Sequence, residues 1–160
     1  PVAIGTDQLS IDQLETGLIA GKILSYAQGF AMINAASSDY DWALPLPKIA
    51  RVWRAGCIIR SSMLDDMATA LTRNPDRNLM QAPAFADLLK AHHMALRQIV
   101  AVGTLHGIAM PALASSIAYF DAMRTSRGTA NMIQGQRDYF GRHSFSRLDG
   151  GVGCHGPWAE

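Results

Sequence analysis

Five arginines, Arg124, Arg127, Arg137, Arg142 and Arg147, fall within one 24-residue stretch whose only acid is Asp138. Arginine offers a planar fork of donors that can meet two oxygens of a phosphate or carboxylate at once. His143 stands beside the cluster. Two readings fit: a solvated basic surface, or a small-anion site at the end of a helix. Arg137 and His143 are six residues apart, about 240° on a continuous helix, which would hold them apart. Gly141 lets the helix end, after which the chain can turn His143 back toward Arg137. A phosphate held between the two is then geometrically open.

Other chemistries find no support. There is no G-x-G-x-x-G after a strand, no G-x-x-x-x-G-K-[ST] and no G-x-S-x-G, so neither a nucleotide-phosphate loop nor a nucleophile elbow is encoded. Cys57 and Cys154 form no C-x-x-C pair that could hold zinc. His92 and His93 are adjacent, hence about 100° apart on a helix and unable to chelate one ion; they read as an exposed or half-buried pair. Cys57, within AGCII, reads as a core thiol.

The elements that must position the cluster are helices. No alternating run indicates a strand. Ser10 with Gln13 forms a capping box for a first helix over about Ile11–Ala36, apolar nearly all round and therefore central. Within it, Gly17, Gly21 and Gly29 each cost about 1 kcal/mol of helix propensity, which close approach by neighbouring helices would offset. Residues 17–36 have the length of a membrane span, but Lys22, Gln28 and Asn34 interrupt them, and a buried helix is the better reading. Pro47 fits the first turn of a second helix, to Ala55. Gly56 bends the chain into a third, Cys57–Thr72, stopped by Asn74-Pro75. A fourth runs from Pro83 to His106 and a fifth from Pro111 to Arg124. Thr129 suits the N-cap of a sixth, Ala130–Phe140. From Ser144 the chain is Gly-rich and irregular. The expectation is an all-α, bundle-like domain over 1–143 with a tail over 144–160.

Composition agrees. The 160 residues are 49% hydrophobic and 17% charged, enough for one ordinary core. A net charge of +1 argues against a nucleic-acid partner. Two cysteines suit a reducing cytosol, and no export signal is visible. A chain beginning at Pro1 is expected to be a piece of something longer.

The segments GKILSYAQGFAMINAAS (21–37), WRAGCIIRS (53–61), MPALASSIAYFDAMR (110–124) and above all ANMIQGQRDYFGRH (130–143) resemble, in order, the C-terminal part of decarboxylating 6-phosphogluconate dehydrogenase. The resemblance runs from about Leu18 to Trp158. It implies an all-helical region that follows an NADP-binding Rossmann domain in a homodimeric enzyme of the pentose phosphate pathway. It also implies that Arg137 and His143, the Arg and His of RDYFGxH, bind the phosphate of 6-phosphogluconate in the active site of the partner subunit. The tail would pack on that partner. The Rossmann glycines and the catalytic Lys and Glu have no counterpart here, so no catalytic, cofactor-binding or metal-binding residue is expected. The chain alone is expected to bind no NADP and to be inactive. Two departures stand out: Gly128-Thr129 replaces the family's Leu-Pro, and the tail is richer in Gly, although His155 and Trp158 match the closing His-x-x-Trp. A different class of reading is a non-catalytic helical dimerisation module.

Overall fold

The computed structural model describes residues 8–158 and contains six α-helices and no strand among them. They are α1 (Ile11–Asp39), α2 (Leu46–Gly56), α3 (Met63–Arg73), α4 (Pro83–Leu105), α5 (Pro111–Met123) and α6 (Ala130–Gly141). One turn of 3₁₀ helix, Leu79–Gln81, precedes α4. The all-α expectation holds. The chain divides into two compact units, Pro1–Phe120 and Asp121–Glu160, so α6 groups with the tail rather than with the helices before it.

In the first unit α1 packs along α4, and α2 packs on α3. Ile23, Leu24, Ala27 and Phe30 of α1 meet Leu64, Met67 and Leu71 of α3 and Phe85, Leu89 and Leu96 of α4 in one buried cluster. The capping box forms as expected. Ser10 Oγ accepts from the Gln13 N–H at 3.1 Å, and Gln13 Oε1 accepts from the Ser10 N–H at 2.8 Å. The helix runs three residues beyond Ala36, to Asp39. Among the described residues, no helix is long and apolar enough to cross a membrane.

The three glycines of α1 separate in role. A Cβ on Gly17 would overlap Ile99 Cδ1 and sit 3.0 Å from the Leu96 backbone nitrogen, so α4 crosses here against bare backbone. A Cβ on Gly21 would lie 2.6 Å from Leu113 Cδ2. Gly29 has nothing within 4 Å, and the expectation of close packing fails there.

The third helix begins six residues later than the pattern suggests. Cys57 is extended (φ −150°, ψ 172°), and the Ile59 carbonyl accepts from the Tyr26 hydroxyl instead of from a helical N–H. The helix starts where Asp65 and Asp66 can occupy its first turn, facing the positive end of its dipole. Cys57 is half-buried, with its thiol donating to the Trp53 carbonyl at 3.3 Å, rather than a core group. Both histidines of the 92–93 pair are half-buried, with the His93 ring 5.6 Å from that of Phe120. Thr129 makes no capping bond: its backbone is already helical (φ −62°, ψ −16°), which turns the hydroxyl away from the N–H groups it would serve.

Candidate functional site

The basic stretch lies in the second unit, on the segment before α6, on α6 itself and on the tail. Helix α6 ends at Gly141, and Arg142 adopts the left-handed conformation (φ 49°, ψ 42°) while its N–H donates to the Asp138 carbonyl at 2.8 Å. Ser144 is left-handed as well (φ 58°). His143 thus sits between two reversals of the chain. Its ring lies over the bare Cα of Gly141, where a Cβ would come within 2.8 Å of His143 Nε2. The chain does reverse after Gly141, but Arg142 rather than the glycine takes the left-handed conformation.

The tail folds back on α6 within this chain, and one side chain holds it there. Asp138 is completely buried. Its Oδ1 accepts from the Ser144 N–H (2.8 Å) and His155 Nδ1 (2.6 Å), and its Oδ2 from the Gly156 N–H (2.8 Å) and Trp158 Nε1 (2.7 Å). Four donors fill the four acceptor positions of a carboxylate. Burial alone pushes this carboxyl up, but the bonds from Gly156, Trp158, His155 and Ser144 outweigh it and hold the group well below the usual carboxylate range. Because an ionised carboxylate only accepts, His155 must carry its proton on Nδ1. The Trp158 ring meets Tyr139 edge-on at 5.7 Å, and Phe145 pairs with Cys154 as an isolated antiparallel bridge.

Between α6 and the tail lies an open cleft of about 950 Å³, with Arg127, Asn131, Gln134, His143, Ser144 and Ser146 in its wall. Its one acid, Asp149, is gripped by Arg147 Nε and Nη2 at 2.6–3.1 Å. The bonds from Arg147 and from the Gly151 N–H hold Asp149 below the ordinary carboxylate value, while Asp149 raises Arg147. The remaining polar wall is cationic or neutral, a field suited to an anion.

The two residues singled out by type and spacing are placed differently. His143 is exposed and forms part of the cleft wall. Arg137 is exposed and stands outside that wall. Its Nη1 donates to Gln134 Oε1 at 3.0 Å, and Gln134 Nε2 donates to the Ser144 carbonyl at 2.5 Å. Gln134 therefore ties Arg137 to the turn that carries His143. The five-arginine cluster is dispersed: Arg147 is committed to Asp149, Arg124 faces Asp121 at 3.6 Å, and Arg127 joins His143 in the cleft. Asp138 was visible in the sequence only as the lone acid of a basic stretch. Its donors lie up to 20 residues away, beyond the reach of helical periodicity. Among the described residues, no group of three or more His, Cys, Asp or Glu could hold a metal ion.

A family model described as 6-phosphogluconate dehydrogenase, C-terminal domain, matches residues 3–158. The chain is 42% identical over 151 residues to the decarboxylating 6-phosphogluconate dehydrogenase of Shigella flexneri, an alignment covering 94% of this chain and 32% of that protein. It is equally similar, over the same shares, to the NAD(+)-dependent decarboxylating enzyme of Bacillus subtilis. Among solved structures, that of Plasmodium falciparum 6-phosphogluconate dehydrogenase, described as apo, with its cofactor NADP+ and with its substrate 6-phosphogluconate, superposes with a TM-score of 0.87 at 35% identity. That match covers 98% of this chain and 34% of the other. The chain spans about a third of the length of the curated relatives it matches.

Proposed function

Because the chain belongs to the family of 6-phosphogluconate dehydrogenase C-terminal domains, we infer that it works as the phosphate-clamping, subunit-joining part of a nicotinamide-dependent decarboxylating dehydrogenase. The whole enzyme would oxidise C3 of 6-phosphogluconate by hydride transfer, lose CO2 from the resulting β-keto acid and release ribulose 5-phosphate. NADP is the cofactor proposed, although one relative carries NAD(+) in its name. The protonic and hydride chemistry belongs to residues outside this chain. A cytoplasmic enzyme fits these substrates.

The observation that carries this reading is the cleft beside α6, whose single acid is already paired with Arg147 and whose wall also holds Arg127 and the His143 imidazole. A phosphate monoester brings a charge of about −1.5 to −2 and several strong acceptors. Arg137 and His143 occupy the Arg and His positions of RDYFGxH and would grip it together, His143 from the cleft wall and Arg137 from beside it, tied through Gln134 to the same turn. Action across a dimer is supported by the exposed Met132, Ile133, Tyr139, Phe140 and Leu148, an apolar surface of the kind that seeks a partner. In that dimer the tail, latched to its own α6, would travel with the clamp onto the neighbouring subunit.

Kinetics of the full-length enzyme test the assignment. Arg137→Ala should raise KM for 6-phosphogluconate by roughly 2–4 kcal/mol of lost charge-assisted bonding, about 30- to 1,000-fold, and leave the cofactor KM nearly unchanged. Mixed dimers of Arg137→Ala subunits with subunits lacking the catalytic Lys should recover activity, since one site per dimer is then intact. Verified heterodimers without recovery would show that the clamp serves its own subunit.

A further inference from the structure

We propose that Asp138 is a positioning residue for the phosphate clamp: it aims the His143 imidazole by anchoring both flanks of its turn, while the latched tail keeps Asp138 itself in place. This rests on the reading of Arg137 and His143 given above and adds to it a residue that never touches substrate.

Both left-handed residues around His143 are tied to Asp138. The Arg142 N–H reaches its carbonyl and the Ser144 N–H reaches its carboxylate, each at 2.8 Å. Left-handed backbone is unfavourable for residues with a Cβ and persists only where surrounding bonds enforce it. Here one residue supplies an enforcing bond on each side. The floor under the imidazole is Gly141, the last residue of the helix on which Asp138 sits. Position, backbone direction and ring support of His143 therefore all refer to the final turn of α6.

The chemical identity of the residue also argues for a role beyond packing. A buried carboxylate is a poor choice for filling space, since desolvation opposes it and an apolar side chain would close the same gap. It is a good choice for fixing the directions of several donors at once. Asp138 does this for four, two of them backbone N–H groups. Consecutive helical residues project about 100° apart. Asp138 is buried while Arg137 is exposed, so one turn of α6 offers the phosphate an arginine and, on its other side, sets the histidine. The tail residues His155, Gly156 and Trp158 complete the carboxylate's shell and so hold it in the orientation that Ser144 needs.

The test uses the full-length dimeric enzyme. Asp138→Asn keeps the shape but sets an NH2 group against N–H donors. It should raise KM for 6-phosphogluconate about tenfold or more, leave the cofactor KM within about twofold and shift the indole 15N–1H resonance of Trp158. In a His143→Ala background, Asp138→Asn should add little further to the substrate KM, because the group it aims is gone. If Asp138→Asn does not fold, Trp158→Phe and His155→Leu each remove one donor from the carboxylate, and each should raise the same KM a few-fold in the same pattern. Independent, multiplying effects of Asp138→Asn and His143→Ala would overturn the positioning role. So would a loss of kcat and both KM values together, the mark of general damage. If His143→Ala alone leaves the substrate KM unchanged, the clamp reading itself fails and this role falls with it. If His143→Ala raises KM and Asp138→Asn does not, only the role of Asp138 is overturned.

Discussion

Two glycines twelve residues apart on α1 should respond to the same substitution with opposite signs. Glycine inside a helix is about 0.5–1 kcal/mol less favourable than alanine. At Gly29 nothing lies within 4 Å of the added methyl, so Gly29→Ala should realise that gain. For 160 residues the unfolding entropy is roughly 0.3 kcal/mol per degree, and the gain becomes about 2–3 °C in Tm. At Gly17 the methyl meets Ile99 Cδ1, which can rotate away. It also meets the backbone of α4, Leu96 N at 3.0 Å and Ala95 C at 3.1 Å, which cannot. The helix pair that carries the core must then separate by some tenths of an ångström, an overpacking that costs about 1–3 kcal/mol. Net of the propensity gain, Gly17→Ala should lose about 1–2 kcal/mol. Urea unfolding followed by circular dichroism measures both, and equal slopes would show that the denatured states match. A Gly17→Ala chain as stable as Gly29→Ala would refute the close-approach argument.

Three further outcomes follow from the same geometry. The chain by itself should form no NADPH from NADP and 6-phosphogluconate at any concentration, and turnover above a buffer blank in an NADPH absorbance assay would contradict this. Asp138 is held below its ordinary value of 3.8, so its latch contributes fully above that pH and is given up as pH falls further; amide exchange at Ser144 and Gly156 should stay protected from neutrality to about pH 4, and loss of protection between pH 6 and 4 would count against it. Gly141→Ala should leave stability within about 0.5 kcal/mol, because only the movable His143 ring is in the way, yet raise the substrate KM of the full-length enzyme by displacing that ring; an unchanged KM would argue that His143 binds from another position.

What the sequence disclosed, it disclosed through local physics. The Ser10–Gln13 box and the prolines at 83 and 111 marked helix starts because each acts within one turn of chain. The all-round apolar face of α1 announced its central place, and Gly141 the turn after α6. Where a partner lay far along the chain, the reading stopped short. Residues 57–62 look helical by composition, yet Tyr26 captures the Ile59 carbonyl from 33 positions away. The turn of 3₁₀ helix at Leu79–Gln81 is set by Asn78, whose side chain accepts from Met80 N and reaches the Tyr119 hydroxyl, and no periodicity reveals it. Asp138 is the plainest case. Its type and its isolation among arginines were visible, but its four donors converge from two separate stretches of the tail, Ser144 and residues 155–158. An acid alone in a basic segment that is followed by His and Trp in an irregular tail is a signal worth reading.

The split between arginine and lysine has a practical side for the chemist at the bench. Lysine occurs only at positions 22, 48 and 90, so residues 91–160 carry no side-chain amine. Amine-directed labels and cross-linkers will pass over the whole of the Asp121–Glu160 unit in silence, whatever it is doing. Arginine-selective dicarbonyls will report on it instead, and unevenly, for Arg147 has both Nε and Nη2 engaged by Asp149 whereas Arg127 opens on the cleft. A lysine-specific protease acting on the denatured chain would leave everything after Lys90 as one 70-residue fragment, the modified arginines still in register upon it.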